Sequence, residues 1–386
     1  MLKRAEAQHS TQKTFKKESP YRFDYYEQLL ATPPMRISSK KTNITNRIIY
    51  AFIIFASITL LLWNQSAPLL TESERQCILD ETYPRGNISS ADLGESFRIA
   101  FYDVQKTFKI LQLPNVSCDF AEHSTSTTVL MMIQTRAKSF TRRNVLRETV
   151  ISAKNSKIVE DGNMKFIFVT GQNEEDEKVN EILENESRLY GDLLITDMHD
   201  NYTNLPFKAL QSILFASSRC KNVDLIGKID EDVIFYPDQL AKLLPGLRIE
   251  ADTNLILGDL WREGVMVNHE PDTKWYIPKE AYRCNRFPQY AAGPLYFMTR
   301  QAAKDILKVS NGRKFITVED SLITGLYSVD INAENIHLPM MYYHHGQTTD
   351  LSRRQLLSWH NKKNDEQFRM SFFYMLSTRC LPCKKF

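Results

Sequence analysis

Val223-Asp-Leu-Ile-Gly-Lys-Ile-Asp-Glu-Asp-Val-Ile-Phe235 is an apolar run that ends in three consecutive carboxylates, Asp230, Glu231 and Asp232. Residues 223–229 read as a buried strand. Upstream, 129–134, 165–170 and 192–196 read the same way, with polar, helix-prone stretches near 141–152, 173–189 and 206–218 between them. Strands alternating with such helices predict an α/β protein on a parallel sheet. Beyond Asp232, strands are expected at 255–259 and 290–298. They are separated by a long irregular stretch of the kind that often carries function.

In open α/β sheets, ligands bind beyond the carboxyl ends of the strands. Three adjacent carboxylates repel one another unless they are solvated or neutralised. A hard divalent cation with oxygen ligands, Mn²⁺ or Mg²⁺, would neutralise them. The plainer alternative is a solvated acidic turn before a helix opened by Pro237-Asp238. Thr317-Val-Glu-Asp-Ser-Leu-Ile-Thr-Gly325 offers a second acidic pair. Asp320 there either caps a helix or takes a proton as a general base. Tyr342-Tyr-His-His-Gly346 supplies His344 and His345, either metal ligands or ordinary histidines. Arg143 and Arg147, four residues apart, share a helical face that suits phosphate as well as water.

The chain has 386 residues, 42% hydrophobic and 25% charged, an ordinary globular composition. Its basic excess is local. Residues 1–47 hold ten Lys/Arg against four Asp/Glu, out of 49 and 46 in all. A basic tail on a near-neutral body argues against nucleic acid as partner. No charge occurs from Ile48 through Thr71, and 48–63 is strongly apolar. About 20 such residues cross a bilayer, and the basic flank places the N-terminus in the cytosol. The expected organisation is a cytoplasmic tail (1–47), a transmembrane signal anchor (48–70), a luminal stem (71–125) and a catalytic domain (126–386). All six cysteines follow the anchor, which fits disulfides in an oxidising compartment; six cysteines allow 15 pairings. Sequons at Asn87, Asn115, Asn185 and Asn201 fit the same topology.

Taken in order, these features resemble the β1,3-galactosyltransferase/β1,3-N-acetylglucosaminyltransferase family, hexosyltransferases related to Fringe-type enzymes. The resemblance covers roughly residues 127–360. Arg143-Asn-Val-Leu-Arg147-Glu-Thr149-Val150 resembles the R-x-x-I-R-x-T-W motif, with Val150 at the Trp. Glu186…Tyr190-Gly-Asp192 and Asp200-Asn-Tyr202-Thr-Asn204-Leu205-Pro-Phe-Lys208 resemble E-x-x-x-Y-x-D and D-x-Y-x-N-L-T-x-K, with Pro206 at the Thr. Lys228-Ile-Asp230-Glu231-Asp232 resembles K-x-D-D-D. Lys274-Trp275-Tyr276, Phe287-Pro288-Gln-Tyr290-Ala-Ala292-Gly293 and Glu319-Asp320-Ser321…Gly325 resemble the later motifs.

The resemblance implies a GT-A (Rossmann-like) fold and an inverting enzyme of the Golgi membrane. Such an enzyme moves a hexose, galactose or N-acetylglucosamine, from a UDP-sugar to a glycan on a glycoprotein or glycolipid, in β1,3 linkage. A homodimer is compatible with it. Carried over, Asp232 coordinates the metal with Asp230 and His344, and Asp320 is the catalytic base. Arg143, Arg147, Thr149, Glu231, Lys208 and Gly293 join Asp230 around the UDP-sugar. The alternative reading is a non-catalytic chaperone or partner of another transferase.

Overall fold

The computed structural model describes residues 70–81, 95–122, 126–342, 355–360 and 364–379. The expected anchor (through residue 69), Asn87, His344, His345, Cys380 and Cys383 lie outside these residues. Among the described residues no helix is long and apolar enough to cross a membrane. The described residues fall within one compact unit, Pro68–Phe386.

The strands are β1 (Ser96–Ala100), β2 (Gln105–Gln112), β3 (Val129–Gln134), β4 (Met164–Gln172), β5 (Leu193–His199), β6 (Leu225–Asp230), β7 (Ile234–Phe235), β8 (Leu255–Trp261), β9 (Tyr290–Thr299), β10 (Glu334–His337), β11 (Met341–Tyr342) and β12 (Ser358–Trp359). The main helices are α1 (Glu72–Asp80), α2 (Phe140–Glu148), α3 (Glu177–Tyr190), α4 (Leu205–Arg219), α5 (Pro237–Leu247), α6 (Arg300–Val309) and α7 (Asp365–Arg379). Nine strands form one sheet in the order β1-β2-β5-β4-β3-β6-β9-β8-β10, and β11-β12-β7 form a second.

The sheet is mixed, and its central strands are parallel as expected. β5, β4, β3 and β6 run parallel, whereas β9 is antiparallel to both β6 and β8. β3 is buried along its whole length because helices cover both faces. Its alternating side chains divide between two cores. Leu130 and Met132 pack with Phe207 and Leu210 of α4 and with Ile306 of α6. Val129, Met131 and Ile133 pack with Leu146 of α2, Leu240 of α5 and Phe372 of α7.

Local chemistry sets the helix ends. Asp176 caps α3 by accepting from the Lys178 N–H, and Gly191, at φ +66°, ends it in the left-handed conformation. Pro206 lies in the first turn of α4, where its missing N–H costs nothing. The family's Thr is therefore replaced without harm to the helix. Val150 is buried in the second core.

The described residues of the segment expected as a stem, 71–81 and 95–122, belong to this body. β1 and β2 form an antiparallel hairpin on the edge of the sheet, β2 pairing with β5. Cys118 is bonded to Cys220, and Cys77 of α1 to Cys284.

Candidate active site

β3 leads to β4 and β5 on one side and to β6 on the other, so the chain reverses its winding between β3 and β6. That switch point is where a doubly wound sheet opens a crevice beyond its carboxyl ends. Both strands end there, β3 at Gln134 and β6 at Asp230.

The turn after β6 carries Glu231 and Asp232 into β7, and β7 pairs antiparallel with β12. With Trp359 opposite Ile234, the next residue, His360, falls beside Asp232. His360 Nε2 lies 3.4 Å from Asp232 Oδ1. Asp230, Asp232 and His360 each offer a ligand atom, all within 4.8 Å of one another. Two carboxylates and an imidazole fit a first-row divalent cation such as Mn²⁺. Burial pushes the Asp230 carboxyl up, against the pull of the Lys228 ammonium, so a bound cation would offset a real electrostatic cost. Sequence reasoning passed over His360. Its local signal was only a His after Ser358-Trp359, and the strand pairing brings it in.

Asp320 stands at the start of a π-helical turn, Ser321–Leu326, a rare geometry often found at functional sites. Its Oδ2 accepts from the Gly293 N–H at 2.9 Å and its Oδ1 from the Ser321 N–H at 2.8 Å. Both oxygens are thereby aimed. A Cβ on Gly293 would stand 3.0 Å from that Oδ2, so glycine lets the strand approach the carboxylate. Burial raises the Asp320 carboxyl, while these N–H groups and Lys228 pull it down.

Lys228 joins the two halves. Its Nζ is 2.7 Å from Asp230 Oδ1 and 3.4 Å from Glu319 Oε2, and it donates to the Gly293 carbonyl at 2.6 Å. Burial lowers the affinity of this ammonium for its proton, but Asp230 and Glu319 more than restore it. Tyr296 donates to Glu319 Oε1 at 2.6 Å, and burial pushes Glu319 up to about 7.

Several residues expected against the nucleotide are instead committed inside the protein. Arg143 is fully buried. Its five N–H groups serve Glu186, Thr135 and the carbonyls of Arg136 and Ala137. Arg147 grips Asp192 with two N–H groups and reaches Glu186 and Asn144 with Nη1. The buried Thr149 hydroxyl donates back to Val145. Lys208 Nζ donates to the Thr135 carbonyl and to Asp200. Glu231 turns away from Asp230 and Asp232 and accepts from Thr135, Arg136 and Ser139. The hydrogen-bonding capacity of Arg143 and Glu231 is filled inside the protein, and Thr149 is buried with its one proton donated. Arg136, missed in the sequence, follows β3 into the crevice with its side chain 68% exposed and its Nε on Glu231. Asn115, Asn185 and Asn201 are exposed.

The galactosyltransferase family model matches residues 141–339, about half the chain. A β1,3-galactosyltransferase of Caenorhabditis elegans, bre-2, is 41% identical over 91% of this chain and 97% of its own length. This chain belongs to the galactosyltransferase family. It is a glycosyltransferase that moves a hexose. Gorilla β1,3-galactosyltransferase 5 is 24% identical over 68% of this chain and 86% of its own length. Mouse β1,3-galactosyltransferase 1 is 26% identical over 50% and 57%. Among solved structures, apo mouse xyloside xylosyltransferase 1 overlays 63% of the chain at 11% identity with a TM-score of 0.32. The family match spans α2 through β10 and so contains Asp230, Asp232 and Asp320; His360 lies beyond it.

Proposed function

We propose that this transferase moves galactose from UDP-galactose to a glycan hydroxyl with inversion, in β1,3 linkage, on a GT-A scaffold. The observation that carries the reading is the joining of the Asp230–Asp232–His360 cluster to the aimed carboxylate of Asp320 by one buried lysine. Asp230, Asp232 and His360 would hold Mn²⁺, which when bound supplies charge compensation to a departing diphosphate. Asp320 takes the proton of the attacking hydroxyl, and the Gly293 and Ser321 N–H groups keep its oxygens in place. Lys228 holds Asp230 and the Gly293 strand in register, and Arg136 offers its exposed guanidinium to the nucleotide.

The observed disulfides fit a luminal catalytic domain. The uncharged stretch 48–70 behind a basic tail fits a single-pass type II protein of the Golgi membrane. The test is UDP release by the unit Pro68–Phe386 across a panel of UDP-sugars, with Mn²⁺ or with EDTA. Metal-dependent release with UDP-galactose is expected. Release indifferent to EDTA, or seen only with another sugar, would overturn the donor and metal assignments.

A further inference from the structure

Trp275 and Tyr202 come from distant motifs, and the fold brings them together. Tyr202 lies in the turn before α4, and Trp275 lies in the long irregular stretch between β8 and β9. Burial pushes the Tyr202 phenol up to about 12, and the nearby indole of Trp275, which can only donate, works against that rise. The Nζ of Lys274 sits 4.7 Å from the Tyr202 ring and 5.6 Å from the Trp275 ring. Both rings stay 40–51% exposed, so the core does not need them.

The Tyr202 phenol feels the charges of Asp320 and Glu319. A second pair stands across β8 and β9, on the strand that carries Gly293. Trp261, at the end of β8, is 40% exposed and stacks on Tyr290, with 6.1 Å between ring centroids and 10° between planes. Tyr290 also feels Asp320. The stretch carrying Trp275 is held firm. Cys77 of α1 is bonded to Cys284, Arg286 reaches Glu74 at 2.7 Å, and Arg283 reaches Glu81 at 2.7 Å.

A hydroxyl that surrenders its proton to Asp320 belongs to a sugar ring. Such a ring offers an apolar C–H face that an exposed aromatic face can cover, with a gain of order 1 kcal/mol or more from buried area. We propose that Trp275, paired with Tyr202, and Trp261, paired with Tyr290, form the acceptor-sugar platform of this transferase. The ring stacks on the indoles, and its edge hydroxyls reach the Tyr202 phenol and the Lys274 ammonium. The proposal rests on the transferase reading above and assigns to these residues the choice of acceptor.

The test uses the full chain in detergent with UDP-galactose and Mn²⁺. Transfer is measured on a glycan array and then on the best arrayed sugar, and UDP release is measured without acceptor. Trp275→Ala and Trp261→Ala are each expected to raise the acceptor KM about tenfold or more, so that transfer falls relative to acceptor-free UDP release. Trp275→Phe should recover most of the loss. Leu189→Ala, on the exposed side of α3, should change neither reaction. An unchanged acceptor KM in both indole variants overturns the proposal. So does a parallel fall of transfer and UDP release, which would place the rings on the donor side. A wild type that releases UDP yet labels no arrayed sugar also overturns it. A wild type that releases no UDP with any donor sinks the transferase reading itself, a result distinct from these three.

Discussion

Lys228 Nζ lies 2.7 Å from Asp230 Oδ1, with the lysine side chain only 8% exposed. The same ammonium touches Glu319 and the carbonyl of the glycine that aims Asp320. One buried cation therefore stabilises the metal-site carboxylate and the acidic pair that holds the base. Neither group could be buried at this density without it.

Lys228→Met should remove about 3 kcal/mol of stability, because it leaves the Asp230 carboxylate without its partner and forces Glu319 to take up a proton. The check is the thermal midpoint with and without Mn²⁺. Part of the loss should return on adding the ion, which neutralises Asp230. Equal losses in both conditions would disconnect Lys228 from the cation site.

Asp320→Asn should leave the fold intact and lower transfer by about two to four orders of magnitude, the usual worth of a positioned general base. Asparagine keeps the shape but cannot take the proton. Transfer kinetics beside a thermal melt decide the matter. Near-wild-type transfer would remove Asp320 from the chemistry.

His360→Ala should weaken Mn²⁺ binding by about tenfold or more. Losing a direct ligand is expected to cost at least what an outer partner does. The Mn²⁺ concentration giving half-maximal UDP release is the readout, with His344→Ala run beside it. A shift in the His344 variant alone would return the third ligand to that histidine.

Glu186→Gln should destabilise by about 3–5 kcal/mol, since Arg143 is fully buried against it and Arg147 shares it. Chemical denaturation measures the loss. Catalytic constants of the surviving folded fraction should stay close to wild type, because the network braces the β3–α2 turn without touching substrate. A selective rise in KM for UDP-galactose would return Arg143 to the donor site.

Glu319 gives a pH signature. Its folded value, pushed up to about 7 by burial, exceeds its ordinary 4.5. Between those values the folded state holds the proton that the unfolded chain has released. Stability in EDTA should thus fall as pH rises from about 4.5 to 7 and then level off. Glu319→Gln should flatten that slope and raise the thermal midpoint at pH 8 relative to wild type. An unchanged slope would assign the titration to another group.

The sequence by itself determined the central strands, because a strand covered on both faces must be apolar throughout, as 129–134 and 165–170 are. It also determined the two acidic motifs, since carboxylates at a strand end and before a buried turn stand out against their surroundings. The edge hairpin was hidden, because β1 and β2 bury one face and read as polar. Only the tertiary structure decided which carboxylates face the crevice. Glu231 sits between Asp230 and Asp232 in the chain, yet its lone pairs are filled by Thr135, Arg136 and Ser139.

It also joined Arg143 to Glu186 across 43 residues, set His360 beside Asp232 and chose two disulfides from the many pairings. A side chain's chemistry is local and can be read in one dimension. Its partner is set by strand register and packing over distances that the sequence order does not encode.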